Sequence, residues 1–207
     1  MKILVLSPHT DDAELGAGGS IARFLEQGDE ILWVVFSSAE ESLPTGMPSD
    51  TLRLEFQQAV ADLGLANYRV FDFRVRYLFQ ERQTILEELV QLRNNYNPDL
   101  VLTPSTYDHH QDHQVVSDET VRAFKNCASI VGYELPWNHT QFTNPLLIRL
   151  DESHMEKKWQ MLTRYHSQVI KGRPYFSKEF VYGLARVRGC QCNAEYAESF
   201  EVIRWIL

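Results

Sequence analysis

His9, Asp11, Asp12 and Glu14 crowd into one short stretch, Ser7-Pro8-His9-Thr10-Asp11-Asp12-Ala13-Glu14-Leu15-Gly16-Ala17-Gly18-Gly19. One imidazole and three carboxylates this close raise one another's energy unless a cation, a shared proton or solvent relieves them. A second polar concentration, Ser105-Thr106-Tyr107-Asp108-His109-His110-Gln111-Asp112-His113, lies far downstream. There, His110 and His113 are three apart, a spacing that places both on one side of a turn or helix start. Neutral imidazole and carboxylate oxygen are ordinary zinc ligands, and a catalytic zinc takes three of them and leaves a position for water. His9, Asp12 and His113 would supply such a set, leaving Asp11, His110 and Asp112 nearby for acid–base work. The competing reading is that Asp11, Asp12 and Glu14 merely complement the positive end of a helix. Two clusters at equivalent strand ends weigh against it.

The elements around these clusters must bring them together. Met1–Leu6 reads as a buried strand and Ser20–Gln27 as a helix stopped at Gly28, followed by a second apolar run over Glu30–Phe36. A strand, a helix and a strand in that order form a right-handed parallel crossover. Residues 37–50, with two prolines and a glycine, predict a surface loop at the same sheet edge as His9. Helical spacing follows over Thr51–Ala66 with Asp50 as N-cap, then a strand over Tyr68–Phe73, a helix over Glu81–Tyr96 and a strand over Asp99–Pro104. Gln114–Lys125 returns to a helical pattern, and Ile130–Leu135 and Pro145–Leu150 read as strands. Ser153 and Glu156 have capping-box spacing before a helix through Met155, Trp159, Leu162 and Tyr165. A helix over Lys178–Val187 and a strand over Phe200–Leu207 complete the chain. With strands one and four parallel in one sheet, their following turns share the carboxyl edge, where α/β proteins bind ligands. The expected architecture is one α/β domain spanning 1–207, three-layer and Rossmann-like, with a mostly parallel sheet and a carboxy-terminal elaboration.

Composition narrows the function. The chain carries 20 basic against 28 acidic residues, a net charge of −8, which makes nucleic acid and anionic membranes poor general partners. No apolar run approaches membrane-spanning length. Cys127, Cys190 and Cys192 form neither a disulfide framework nor a cysteine zinc site, and a cytoplasmic setting is expected. Gly16, Gly18 and Gly19 do not spell G-x-G-x-x-G, and acids where a pyrophosphate would sit argue against a dinucleotide.

His9-Thr10-Asp11-Asp12 with its acid and glycine-rich continuation, and His110-Gln111-Asp112-His113, resemble the two signatures of the PIG-L/LmbE-like zinc N-deacetylases. Arg53 with Glu55, Tyr165-His166-Ser167-Gln168 and Tyr196-Ala197-Glu198-Ser199-Phe200 extend the likeness over almost the whole chain. Thr10 stands where the family carries proline, and Gln114 where many members carry arginine. The resemblance implies a hydrolase that removes an N-acetyl group from an N-acetylglucosamine-type sugar or conjugate, using Zn2+ or another divalent metal. It implies His9, Asp12 and His113 as ligands and Asp11 as general base. A protonated His110 would stabilise the oxyanion, with Asp112 orienting it and favouring its charge. Arg53 is the implied substrate contact, against the reading of a surface helix arginine paired with Glu55 or Asp50. Tyr196 is a candidate donor to the reacting carbonyl or a buried aromatic, Glu14 a substrate contact or a brace of the metal turn, and a homo-oligomer fits the family habit. Asp108 reads as a turn former. The alternatives are an amidase acting on a thiol-sugar conjugate, or a non-catalytic module that binds a sugar or nucleotide-sugar.

Overall fold

A computed structural model describes residues 1–206 of the chain. Among them the elements run β1 (Lys2–His9), α1 (Asp12–Glu26), β2 (Glu30–Ser37), α2 (Thr51–Asp62), β3 (Tyr68–Val70), α3 (Arg82–Tyr96), β4 (Leu100–Pro104), α4 (Gln111–Phe124), β5 (Ser129–Tyr133), β6 (Leu146–Leu150), α5 (Glu152–Thr163), the single turn α6 (His166–Val169), α7 (Lys178–Gln191) and β7 (Tyr196–Arg204). The described strands form one open seven-stranded sheet in the order β3-β2-β1-β4-β5-β7-β6. The first five of these are parallel, and β7 runs antiparallel to both β5 and β6. This is the expected α/β layout with its carboxy-terminal elaboration.

The alternation of side chains along a strand builds two cores. From β1, Ile3 and Val5 point into the core that also holds Ile21 of α1, Phe56 of α2, Met161 of α5 and Val181 of α7. Leu4 and Leu6 face the opposite side, against Ile85 and Leu89 of α3 and Val116 and Phe124 of α4. Strands covered on both faces read as continuous apolar runs, which is why they were recognisable. Strand order reverses between β1 and β4, so the crevice at their carboxyl ends is the topological switch point of the sheet.

Several boundaries differ from expectation for local reasons. Helix α1 starts at Asp12 rather than Ser20, because its first turns are polar and glycine-rich and so hide their periodicity. Those glycines let the helix press onto its neighbours. A Cβ at Gly16 would stand 2.5 Å from the Tyr133 ring, and one at Gly19 would stand 2.5 Å from Leu150. Helix α4 begins at Gln111, with His110 as N-cap. Asp50 occupies the N-cap position of α2 but gives no side-chain cap bond. The α5 cap is Asp151 with His154, not Ser153 with Glu156, and the Asp151 amide donates to His154 Nδ1 at 3.0 Å. Strand β3 is shorter than expected, although the Phe71 and Phe73 amides still bond to β2 carbonyls. Strand β7 begins at Tyr196 rather than Phe200, and Leu207 lies outside the described residues.

Candidate metal centre and cleft

Strand β1 delivers His9, and the chain turns into α1 through Asp11 at φ 83°, a left-handed conformation that a non-glycine residue rarely holds. The Asp11 carbonyl accepts from the Leu15 amide, while its carboxylate makes no cap bond and is left facing the cleft. Asp12, the first helical residue, turns inward. From the neighbouring strand β4, the turn through Asp108 brings His110 and His113 to the same point.

Three donor atoms converge there. His9 Nδ1 lies 3.1 Å from Asp12 Oδ2, His113 Nε2 lies 3.2 Å from the same oxygen, and the two nitrogens are 3.4 Å apart. A tetrahedral zinc with ligands at about 2.0–2.1 Å spaces them about 3.3 Å apart, so the triangle has the size of one face of that tetrahedron. The donor set of two imidazoles and one carboxylate also fits a divalent ion. His9, His110 and His113 form a wider group, with donor atoms within 4.8 Å of one another.

Each imidazole of the triangle is held from behind by a carboxylate. His9 Nε2 lies 2.9 Å from Asp112 Oδ2, and His113 Nδ1 lies 2.7 Å from Asp108 Oδ2. Such outer partners fix the tautomer and aim the free nitrogen. Asp112 is fully buried and also accepts the amides of Arg76 (2.6 Å) and Leu78 (3.3 Å). Asp108 likewise accepts the His110 amide (2.8 Å) and Asn138 Nδ2 (3.1 Å). Asp108 is therefore more than a turn former. Its place five residues before His113, in a turn already rich in ligand types, was the available signal.

Protonation follows these contacts. Burial alone would push His9 down, but Asp12 and the Asp112 hydrogen bond lift it to about 9. His113 is lifted to about 10 against its burial, by Asp12 and Asp108. Burial favours neutral Asp12, yet His113 and His9 hold it far below the usual carboxylate range. Asp11 is pushed well above that range by burial and by the charges of Asp12 and Glu14.

His110 and Asp112 depart from their expected partnership. Burial, then His113 and His9, push His110 down to about 4, so at neutral pH it is uncharged rather than protonated. Asp112 meets it through the backbone: its amide donates to His110 Nδ1 at 3.2 Å, while its carboxylate serves His9. With Nδ1 accepting, the neutral ring carries its proton on Nε2.

The cleft over this centre has a volume of about 250 Å³. His9, Asp11, Asp12, His110 and His113 form its floor, and Ala39 and Ser42 of the 37–50 loop line one side, as expected. Neither Arg53 nor Tyr196 lines it. Arg53 is tied to Asp72 and to the Val70 carbonyl, an ion pair on the outside of α2. Tyr196 is buried on β7, with its hydroxyl accepting from Arg186. Glu14 is buried beneath the floor and accepts from the Tyr165 hydroxyl; burial lifts it to about 7 despite that bond. The remaining lining includes Arg76, Trp137, Gln168, Lys171, Arg173 and Tyr175. Of these, only Gln168 lies in a segment with a recognisable motif.

Residues 4–124 match the family described as GlcNAc-PI de-N-acetylase, PIG-L. The uncharacterized deacetylase YaiS of Escherichia coli (strain K12) is 26% identical over 170 residues, spanning 80% of this chain and 90% of that protein. The structure of N,N'-diacetylchitobiose deacetylase from Pyrococcus horikoshii superposes with a TM-score of 0.75 at 18% identity, covering 98% of this chain and 83% of that one. GalB, the 4-carboxy-2-hydroxymuconate hydratase of Pseudomonas putida KT2440, superposes with a TM-score of 0.83 at 22% identity over 100% and 97% of the two chains. A hydratase and a deacetylase thus share this fold, so the fold by itself does not select the reaction.

Proposed function

The chain belongs to the PIG-L deacetylase family, and from that premise we propose that it hydrolyses the N-acetyl group of an N-acetylglucosamine-type sugar or sugar conjugate, with a divalent metal, zinc by donor chemistry, held by His9, Asp12 and His113. The observation that carries this reading is the triangle of donor atoms 3.1–3.4 Å apart with the Asp11 carboxylate beside it at the base of an open cleft. A bound ion of this kind lowers the pKa of water and polarises a carbonyl oxygen.

The chain's own groups supply the proton traffic. Asp11, made more basic by burial and by its acidic neighbours, accepts a proton from the attacking water. The same carboxyl returns that proton to the leaving nitrogen as the carbon–nitrogen bond breaks, and the products are acetate and a free amine. Neutral His110 donates from Nε2 to the developing oxyanion, a preorganised donor that needs no charge of its own. Asp112 and Asp108 hold His9 and His113 in the tautomers that leave Nδ1 and Nε2, respectively, free for the metal.

The test is amine release from a panel of N-acetylated sugars by metal-loaded protein. Asp11→Asn is expected to keep its metal while turnover falls by about 10²- to 10⁴-fold. Unchanged turnover in that variant would remove Asp11 from the mechanism, and absence of amine release across the panel would remove the reaction class.

A further inference from the structure

Arg76, from the connection between β3 and α3, and Lys171 and Arg173, from the connection between α6 and α7, reach the same cleft, and none of them makes an ion pair among the described residues. Other guanidinium groups do reach carboxylates, among them Arg74 with Glu41, Arg82 with Glu119, Arg164 with Asp62 and Arg188 with Glu134. The three cleft cations are instead steadied by neutral groups. Arg76 donates to the Ser42 hydroxyl at 3.2 Å, and Lys171 Nζ donates to the Ser42 carbonyl (2.6 Å) and Gln168 Oε1 (2.9 Å). Arg173 donates to the Tyr175 hydroxyl and lies over that ring, which stacks on Trp137 at 3.9 Å. These contacts fix the positions of the positive groups without bringing a carboxylate into direct contact with them.

Gathering like charges is unfavourable, and here burial and Arg173 together lower the Lys171 ammonium from its ordinary range. Of the acids on the lining, Asp12 is engaged by the histidines at the floor, and Asp11 attracts Arg173 and Lys171 through space without an ion pair to either. Once a divalent ion sits among those acids, the cleft is formally positive, in a chain whose net charge is −8. Low-dielectric walls focus such a field on whatever enters. Lys171, Arg173, Trp137 and Tyr175 also lie beyond residue 124, outside the segment that carries the family match.

We propose that Arg76, Lys171 and Arg173 form a subsite for an oxyanion, a phosphate monoester or a carboxylate, carried by the substrate close to its acylated amine. Arginine forks and a lysine point charge together suit either anion. The Trp137–Tyr175 stack provides the apolar wall beside it. This subsite rests on the deacetylase reading for its substrate, although anion binding can be measured without turnover.

The experiment is calorimetric titration of the metal-loaded protein with N-acetylglucosamine, N-acetylglucosamine 1-phosphate and N-acetylmuramic acid, which set a neutral sugar against a phosphate and a carboxylate. At least one anionic ligand is expected to bind about tenfold or more tightly than the neutral sugar, the scale of one charge-assisted hydrogen bond. That advantage should shrink with salt and collapse to within about threefold in Lys171→Gln/Arg173→Gln. Metal content and melting temperature of the variant report that it is folded. Equal binding of all three ligands by the unsubstituted protein would overturn the subsite. So would an advantage that survives the double substitution, since the anion would then be sitting on the metal. Charge-dependent binding without amine release would retain the subsite and discard the deacetylase reading. Release from neutral and anionic sugars with equal binding would do the reverse.

Discussion

Helix α1 meets buried charge at its start and again near its middle, and the two sites differ in one respect that decides their roles. At its start, Asp12 meets His9 and His113 around a point that opens into the cleft, with Asp108 and Asp112 behind them. About two turns later, Glu198 of β7 accepts the Gly19 and Ser20 amides at 3.0 and 2.7 Å, and Lys158 of α5 donates to the Leu15 carbonyl at 2.7 Å and to Glu198 at 2.6 Å. The second site balances one cation with one anion and encloses both. The first gathers carboxylates and imidazoles whose free atoms converge at ion-sized spacing. A closed, balanced cluster is a fastener between α1, α5 and β7, whereas an open cluster of convergent donors has a ligand still to receive.

Breaking each cluster separately sharpens this contrast. The largest loss of stability is expected from Lys158→Ala, which strands Glu198 without its cation; removing one partner of a buried pair costs about 3–5 kcal/mol. Denaturant unfolding should show that loss with metal present and with metal stripped. A variant destabilised only when metal is bound would mean that the two clusters are not separate. Asp108→Ala acts in the other direction, releasing His113 from behind. Isothermal metal titration should show affinity reduced roughly 10- to 100-fold, and affinity equal to that of the unsubstituted protein would return Asp108 to the status of a turn residue.

A smaller effect lies in the pH dependence of the metal-stripped protein. His9 and His113 have folded values of about 9 and 10, above the ordinary 6.5, so their protonation stabilises the fold fully below pH 6.5, and that contribution is lost as pH rises through 9 and 10. Glu14, lifted to about 7, has the same sign at lower pH. Melting temperature without metal should therefore fall between pH 6.5 and 10. The increment added by metal should grow over the same window, because the ion competes with those protons. Parallel pH profiles with and without metal would break the link between the imidazoles and the ion.

Much of this was legible in the residues. Strands covered on both faces announce themselves as apolar runs, and the ligand types stand out because the two turns that carry them are dense in histidine and aspartate. The start of α1 was hidden by glycines that serve close packing against Tyr133 and Leu150 rather than any turn. The exchange of partners at Asp112, whose carboxylate goes to His9 and whose amide goes to His110, depends on a contact across two strands that spacing along the chain does not reveal. Arg53 and Tyr196 sit near recognisable motifs, yet Asp72 and Arg186 hold them outside the cleft. Of the cations that do line it, Lys171 and Arg173 share one loop without a motif, and only the folded chain brings Arg76 to them.

The most direct measurement is the metal content of the purified protein beside that of His113→Ala, taken by elemental analysis after exhaustive dialysis. One divalent ion per chain in the former and essentially none in the latter is the expected result. A fully metallated His113→Ala protein, or an unsubstituted protein that takes up no ion when metal is supplied, would contradict the assignment of His9, Asp12 and His113 as the metal centre.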